Sequence, residues 1–269
     1  MSGFFVLEAR ADRCDVEVYL NGVPITRRGP SHGRSFGAPV NHYVIDGINE
    51  LALVIGPGAR PSEALAPSAG RRFVDASGCR ATARLSRYPA GAVIGGPDAV
   101  ELMRVDYTPP ASGRAVAMPR VIECREDLGA RVGRWSWQDA PRITLDEATR
   151  GEIASCLEGL ARSLNAGETD VFLKLSAVRL EDIARAFERP IGEKTSVIRN
   201  GQAGRRLRPD FAVKTVPANA FDLRLCAADR MVECIADDWR AIVREAPSAE
   251  TMFFPMTLSM IGGAWSIVR

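Results

Sequence analysis

Histidine and lysine are scarce in this sequence, and its cysteines lack the spacing of a metal site. The 269 residues contain two histidines, His32 and His42, and no G-x-S-x-G motif. A hydrolase triad needs an imidazole beside its nucleophile, so we predict no such catalytic site. The six cysteines form no C-x-x-C pair, which argues against a zinc ribbon or a thioredoxin-like site. We therefore expect no metal and no cofactor.

Acidic and basic residues nearly balance. The 35 basic and 33 acidic residues give a formal net charge of +2, so no global field favours nucleic acid or an anionic membrane. The first ten residues, MSGFFVLEAR, lack the basic segment and the apolar stretch of a secretory signal. The uncharged run 251–268 is interrupted by Pro255 and Gly262-Gly263, which favours a β-hairpin over a membrane helix. The prediction is a cytoplasmic protein with reduced thiols and with neither a nucleic-acid nor a membrane partner.

Residues 1–140 are predicted to form an all-β domain. Short apolar or alternating runs are separated by turn residues, and no helical period occurs among them. Asn21-Gly22 is typical of a tight type I′ turn, and residues 56–70 are predicted to be an exposed loop. The predicted strands are residues 4–9, 16–20, a return strand from Val23, 42–45, 50–55, 80–87, 100–107 and 115–125. Many short strands with frequent turns favour a β-sandwich or jelly roll.

Residues 141–269 are predicted to form an α+β domain. Thr144 and Glu147 fit a capping box, and apolar residues then recur with helical spacing from Ile153 to Leu164. Asn165-Ala-Gly167 predicts the end of this helix. One or two shorter helices are predicted at residues 171–175 and 180–187, before Pro190. Strands are predicted at 211–216, 221–226, 231–235, 240–245 and in the terminal Gly-Gly hairpin. Helices followed by an antiparallel meander give the α+β class.

The segment 16–55 contains three successive motifs with turn residues. It contains V-E-V-Y-L-N-G-V-P-I, then F-G-A-P-V-N, then D-G-I-N-E-L-A-L-V-I. This resembles the galactose-binding-like jelly roll found beside catalytic domains in some glycoside hydrolases. In that family the fold serves both carbohydrate binding and pure architecture, so the resemblance implies a β-sandwich and no catalytic carboxylate pair.

The second half, from Thr144 to Arg269, ends in A-W-S-I-V after Gly262-Gly263. With the helices that precede it, this ending is similar to the nuclear transport factor 2-like, or cystatin-like, α+β cone. Catalytic members of that family place Asp and His inside the cone, but no histidine follows His42 here. The resemblance therefore implies a curved antiparallel sheet and binding or assembly rather than catalysis, with homodimerisation through the sheet.

Two groups of residues are candidates for binding. The densest basic cluster is predicted to be a flexible loop; it contains Arg199, Arg205, Arg206 and Arg208. We favour a solvated loop, and the alternative is that its guanidinium groups contact an acidic partner or a phosphate. Trp135 and Trp137 are spaced to share one face of a strand. If exposed, they would stack on a sugar ring or anchor a protein interface. If buried, they belong to the core, which is the reading that we favour.

Three functional hypotheses follow from these patterns. The one that we favour is a non-catalytic binding or protein-interaction protein with a protein partner or a small ligand. The second is a small-molecule enzyme whose carboxylates, such as Asp222 or Asp237, lie in the C-terminal cone. The third is a carbohydrate-binding module, for which Trp135 and Trp137 would have to form an open platform.

Overall fold

The computed structural model describes residues 3–30, 33–58, 72–75, 78–109, 115–207, 211–215, 221–236, 242–246 and 256–269. The chain is α+β, and its N-terminal part is all-β. It divides into two compact units, Met1–Arg134 and Trp135–Arg269. None of the helices in the described ranges combines the length and the apolar character that crossing a bilayer requires.

The N-terminal unit contains ten strands among its described residues. They are β1 (Gly3–Asp12), β2 (Val16–Leu20), β3 (Val23–Arg28), β4 (Ser35–Pro39), β5 (Ile48–Ile55), β6 (Arg72–Asp75), β7 (Arg80–Pro89), β8 (Val100–Tyr107), β9 (Ala115–Met118) and β10 (Arg120–Asp127). Two four-stranded antiparallel sheets have the orders β4-β1-β7-β8 and β10-β5-β2-β3, and β6 pairs with β9. We call the first of these the β1 sheet.

Alternating side chains on both four-stranded sheets supply one shared core. Along β1, Phe5, Leu7, Ala9 and Ala11 are buried in a cluster that also contains residues of β2, β5, β7 and β8. Because successive side chains of a strand point to opposite faces, the other residues of β1 lie on the outer face of its sheet. This two-sheet arrangement confirms the predicted all-β sandwich.

Turn chemistry sets the register of the second sheet. Asn21 and Gly22 both have positive φ, at 53° and 72°, as the predicted type I′ turn requires. The Asn21 side chain donates to Asn49 Oδ1 at 2.8 Å and accepts from the Glu50 N–H at 2.9 Å. Buried Asn49 also exchanges hydrogen bonds with the backbone of Ile45. The N-G and G-x-N-x-L motifs therefore meet in one hydrogen-bonded corner.

The strand predicted at residues 42–45 is wrong. Residues Asn41–Tyr43 form a short 3₁₀ helix instead. The buried Asn41 side chain accepts a hydrogen bond from the Phe5 N–H at 2.8 Å, so it supplies the acceptor that a neighbouring strand would have provided. The apolar residues of this segment predicted a strand, because their pattern does not show that the Asn41 side chain replaces a backbone acceptor.

The C-terminal unit contains four helices and six strands among the described residues. They are α1 (Glu147–Ala166), α2 (Thr169–Leu175), α3 (Ala177–Ala186), α4 (Ile191–Arg206), β11 (Ala212–Thr215), β12 (Phe221–Cys226), β13 (Met231–Ala236), β14 (Val243–Ala246), β15 (Thr257–Ile261) and β16 (Ala264–Ile267). One antiparallel sheet has the order β12-β13-β15-β16, and β11 pairs with β14. The predicted helix at 153–164 and the Gly-Gly hairpin are confirmed.

Helix α1 packs its apolar stripe into the core of this unit. Ile153, Leu157, Leu160 and Leu164 are buried with Leu223, Val232, Leu258 and Ile267 of the sheet. The helix ends at Gly167, whose φ is 89°. The left-handed conformation favours glycine here, and the Arg206 guanidinium lies against it, with Nη1 1.8 Å from where a Cβ would be.

The N-cap of α1 is Asp146, and the predicted capping box from Thr144 is wrong. Helix α1 begins at Glu147, and the Asp146 Oδ1 accepts a hydrogen bond from the Thr149 N–H at 2.8 Å. Thr144 lies before the first turn, so it cannot reach the orphan N–H groups there.

We expect Asp146→Ala to lower the thermal midpoint of the C-terminal unit at neutral pH. The Thr149 N–H holds the pKa of Asp146 below its usual value. Because folding lowers this pKa, the stabilisation is complete above the unfolded pKa of about 3.9 and disappears as the pH falls through the folded value. Circular-dichroism melts at pH 7 and below pH 3 should show the difference between wild type and variant shrinking. Glu158→Ala, on an exposed position of α1, is the control. An equal effect of both substitutions at pH 7 would contradict a cap.

Candidate functional site

The outer face of the β1 sheet is polar and strongly charged. Glu8, Arg10 and Asp12 alternate with the buried alanines of β1, and the central strand β7 presents Thr82 and Arg84 in the same way. On β8, Arg104 and Asp106 alternate with buried Met103 and Val105. This alternation places the charged residues of three neighbouring strands on one surface.

The strand register fixes which of these residues are neighbours. Arg10 pairs with Thr82, and Thr82 pairs with Asp106, so these three residues form one row across the sheet. In the next row Arg84 lies opposite Arg104. Two arginines directly opposite each other repel, and this cost must be offset by carboxylates nearby.

Carboxylates on the same face offset that repulsion. Arg84 Nε donates to Glu8 Oε2 at 2.9 Å, and Arg104 Nε donates to Asp106 Oδ2 at 2.7 Å. The hydrogen bond that Asp106 accepts from Arg104 lowers the pKa of Asp106 and raises that of Arg104. The hydrogen bond that Arg84 donates to Glu8 raises the pKa of Arg84. Asp106, Arg84 and Arg104 are therefore charged at neutral pH.

Two adjoining cavities open on this face. The larger has a volume of about 420 Å³, and its lining includes Arg10, Asp12, Arg80, Thr82, Arg104, Asp106 and Tyr107. The smaller has a volume of about 260 Å³, and its lining includes Glu8, Arg10, Ser35, Phe36, Thr82 and Arg84. Arg10 and Thr82 line both cavities, so the two are parts of one depression. We call it the outer-face groove.

The outer-face groove is suited to hydrogen-bonding an anion. Its lining holds four arginines, Arg10, Arg80, Arg84 and Arg104, against three carboxylates. A guanidinium has five N–H donors, so an arginine that contacts a carboxylate through Nε still has its terminal nitrogens for a ligand. Within the described ranges, no three metal-ligating side chains come together.

The predicted arginine loop is a helix, which corrects its description as flexible. Arg199 contacts Asp170 at 2.8 Å, and Arg205 contacts the buried Glu245 at 3.1 Å. Arg206 packs on Gly167, whereas Arg208 lies outside the described residues. These contacts join α4 to α2, β14 and the end of α1. A binding role for these arginines stays a prediction.

Trp135 and Trp137 are buried, with 0% and 5% of their surface exposed. They flank and enter a 3₁₀ helix, Ser136–Asp139, rather than a strand. The Arg185 guanidinium lies 4.3 Å from the Trp135 ring centroid. The two rings therefore form no open platform for a sugar, as the preference for a core role anticipated.

Of the two carboxylates named in the enzyme hypothesis, the structure describes only Asp222. Asp222 is buried on β12, and its Oδ1 accepts a hydrogen bond from the Leu223 N–H at 3.0 Å. Asp237 and His32 lie outside the described residues. His42 is half-buried in the 3₁₀ helix, with its ring 4.2 Å from that of Tyr43.

Sequence reasoning missed the outer-face groove, although a local signal exists. The runs E-A-R-A-D at 8–12 and R-A-T-A-R at 80–84 alternate small apolar residues with polar ones. This period identifies charged strand faces. It does not reveal that β1 and β7 are neighbours, which follows only from the register.

Comparison with known proteins found no relative of this chain. No protein-family model, no curated protein and no solved structure matches the chain. Any functional proposal therefore rests on the residues themselves.

Proposed function

We propose that this chain is a non-catalytic binding protein that takes a small anionic ligand in its outer-face groove. The proposal rests on one observation: Arg10 lines both cavities, and Arg80, Arg84 and Arg104 lie around it. Carboxylate and phosphate groups are the ligands that such guanidinium clusters hold best.

The dimensions and charge of the groove support a small ligand. A cavity of about 420 Å³ lies within the range that small-molecule sites occupy. The neighbouring carboxylates Glu8, Asp12 and Asp106 keep the net charge of the lining low, which disfavours a polyanion such as nucleic acid. A cytoplasmic location and homodimerisation stay predictions, and light scattering at tens of micromolar tests the latter.

Replacing Arg10 tests the proposal. We expect a small carboxylate or phosphate compound, drawn from citrate, glucuronate, phosphate and pyrophosphate, to bind the full chain in isothermal titration calorimetry. Arg10→Gln should weaken that binding about tenfold or more, because a hydrogen bond to a charged group contributes about 1.5–3 kcal/mol. The affinity should also fall as ionic strength rises.

Arg125→Gln is the matched control. Arg125 is also an exposed strand arginine, and its Nε donates to Glu50 at 2.8 Å on the other four-stranded sheet. Equal weakening by both substitutions would indicate a general charge effect and would contradict the groove as the site. Absence of binding by all four compounds would overturn the anionic-ligand proposal.

A further inference from the structure

Two cysteines from distant parts of the chain meet at one end of the β1 sheet. The last paired residues of β1 and β7 are Asp12 and Arg80. Cys14 lies two positions beyond Asp12, and Cys79 lies one position before Arg80. Both thiols are free, Cys79 is buried and Cys14 is half-buried.

Each thiol makes one contact that crosses to the other segment, and Cys14 Sγ also donates to the Asp12 carbonyl at 3.4 Å. Cys79 Sγ donates to the Arg13 carbonyl at 3.3 Å, beside Cys14. Cys14 Sγ lies 3.8 Å from the Arg80 carbonyl, beside Cys79. Each thiol therefore lies against the backbone next to the other cysteine, which places the two side chains beside each other.

The electrostatics of the site agree with this closeness. Burial, followed by the neighbouring Cys79, raises the pKa of Cys14 to about 12. Burial raises the pKa of Tyr107, and the charges of both cysteines raise it further. Tyr107, Asp12 and Arg80 line the larger cavity, so the two thiols lie next to one end of the outer-face groove.

We propose that Cys14 and Cys79 form a reversible disulfide by exchange with a low-molecular-weight disulfide such as oxidised glutathione. The more exposed Cys14, as thiolate, attacks one glutathione sulfur, and the first glutathione thiolate leaves. The Cys79 thiolate then attacks the Cys14 sulfur of the mixed disulfide and releases the second glutathione. The two cysteine protons end on the two glutathione thiols, so the protein is oxidised and one glutathione disulfide is reduced.

The reaction is expected to be slow at neutral pH and faster in alkali. The thiolate is the nucleophile, and a Cys14 pKa of about 12 leaves few thiolates at pH 7. Cross-linking residues 14 and 79 also closes a long loop in the unfolded chain. This should raise the thermal midpoint of the N-terminal unit by roughly 10 °C.

The test uses the full, fully reduced chain incubated with oxidised glutathione at pH 9. We expect the number of thiols that are alkylated after denaturation to fall from six to four. Peptide mapping should give one cross-linked species that joins Cys14 to Cys79, and dithiothreitol should reverse both the cross-link and the higher melting temperature. Cys124→Ser, which removes a half-buried thiol on β10, should lose two thiols from its remaining five and give the same cross-link and the same reversal by dithiothreitol.

Three outcomes would overturn the inference. They are retention of six thiols in the folded chain, a disulfide that involves other cysteines, and a glutathione adduct on Cys14 that Cys79 does not displace. Because the decisive readout is made on the wild-type chain, it does not depend on whether Cys14→Ser or Cys79→Ser folds.

Discussion

Asp182→Ala is expected to lower the free energy of unfolding of the C-terminal unit by about 3–5 kcal/mol. Arg269 Nη1 donates to Asp182 Oδ2 at 2.9 Å, and the two side chains are only 1% and 4% exposed. Ser136 Oγ donates to the other carboxylate oxygen at 3.3 Å. Removing the carboxylate leaves the Arg269 guanidinium buried without its counter-charge, and that desolvation dominates the loss.

Tryptophan fluorescence measures this effect selectively, because all four tryptophans lie between residues 135 and 265. Urea unfolding of wild type and variant should therefore report the C-terminal unit alone. Asp170→Ala is the matched control, since Asp170 pairs with Arg199 at the surface, and exposed pairs contribute about 0–1 kcal/mol. Similar losses in the two variants would show that the Asp182–Arg269 pair is not a buried support.

Trp135→Ala is expected to cost about 3–5 kcal/mol, the usual range for an aromatic side chain removed from a core. The Trp135 ring is fully buried, and the guanidinium groups of Arg185 and Arg269 lie 4.3 Å and 5.9 Å from its centroid. The substitution therefore removes both buried area and two cation–π contacts.

Urea unfolding followed by far-ultraviolet circular dichroism measures the cost of Trp135→Ala. Trp265→Ala should cost clearly less, because Trp265 is half-buried and its Nε1 donates to an exposed Glu152. Asp182→Ala and Trp135→Ala should also be non-additive when combined, since both remove support from Arg269. A loss below about 1 kcal/mol for Trp135→Ala would contradict the core role and restore the ring as a candidate for ligand contact.

Local patterns predicted most strands and three of the helices. Alternation and turn residues predicted the exact bounds of the strands Val16–Leu20 and Phe221–Cys226. Successive side chains of these strands alternate between two faces, and turn residues mark where each strand ends. Helix α4 was missed. It contains Gly192, Gly201 and Gly204, which lower its intrinsic propensity. Arg205 of this helix pairs with the buried Glu245 of β14, and this tertiary contact is not encoded in the helix's own segment.

The candidate sites depend on contacts between distant residues. The outer-face groove requires that β1 lie beside β7, and the buried pair joins Asp182 to Arg269 across 87 positions. Similarly, Cys14 and Cys79 have no spacing motif, because a strand pairing brings them together. Sequence periodicity assigns a residue to a face, whereas only the tertiary register selects its neighbours.

The central position of β1 in its sheet has a consequence for how the chain folds during synthesis. β1 pairs with β7 along its whole length, from Gly3 with Pro89 to Asp12 with Arg80. The ribosome makes β1 first among the strands of its sheet, but its longest partner is completed only at Pro89. The N–H and C=O groups on the edge of β1 that faces β7 must therefore wait for their partners, and such sequence-distant pairing slows folding. In the C-terminal unit, by contrast, α1 can form as soon as its own residues have left the exit tunnel.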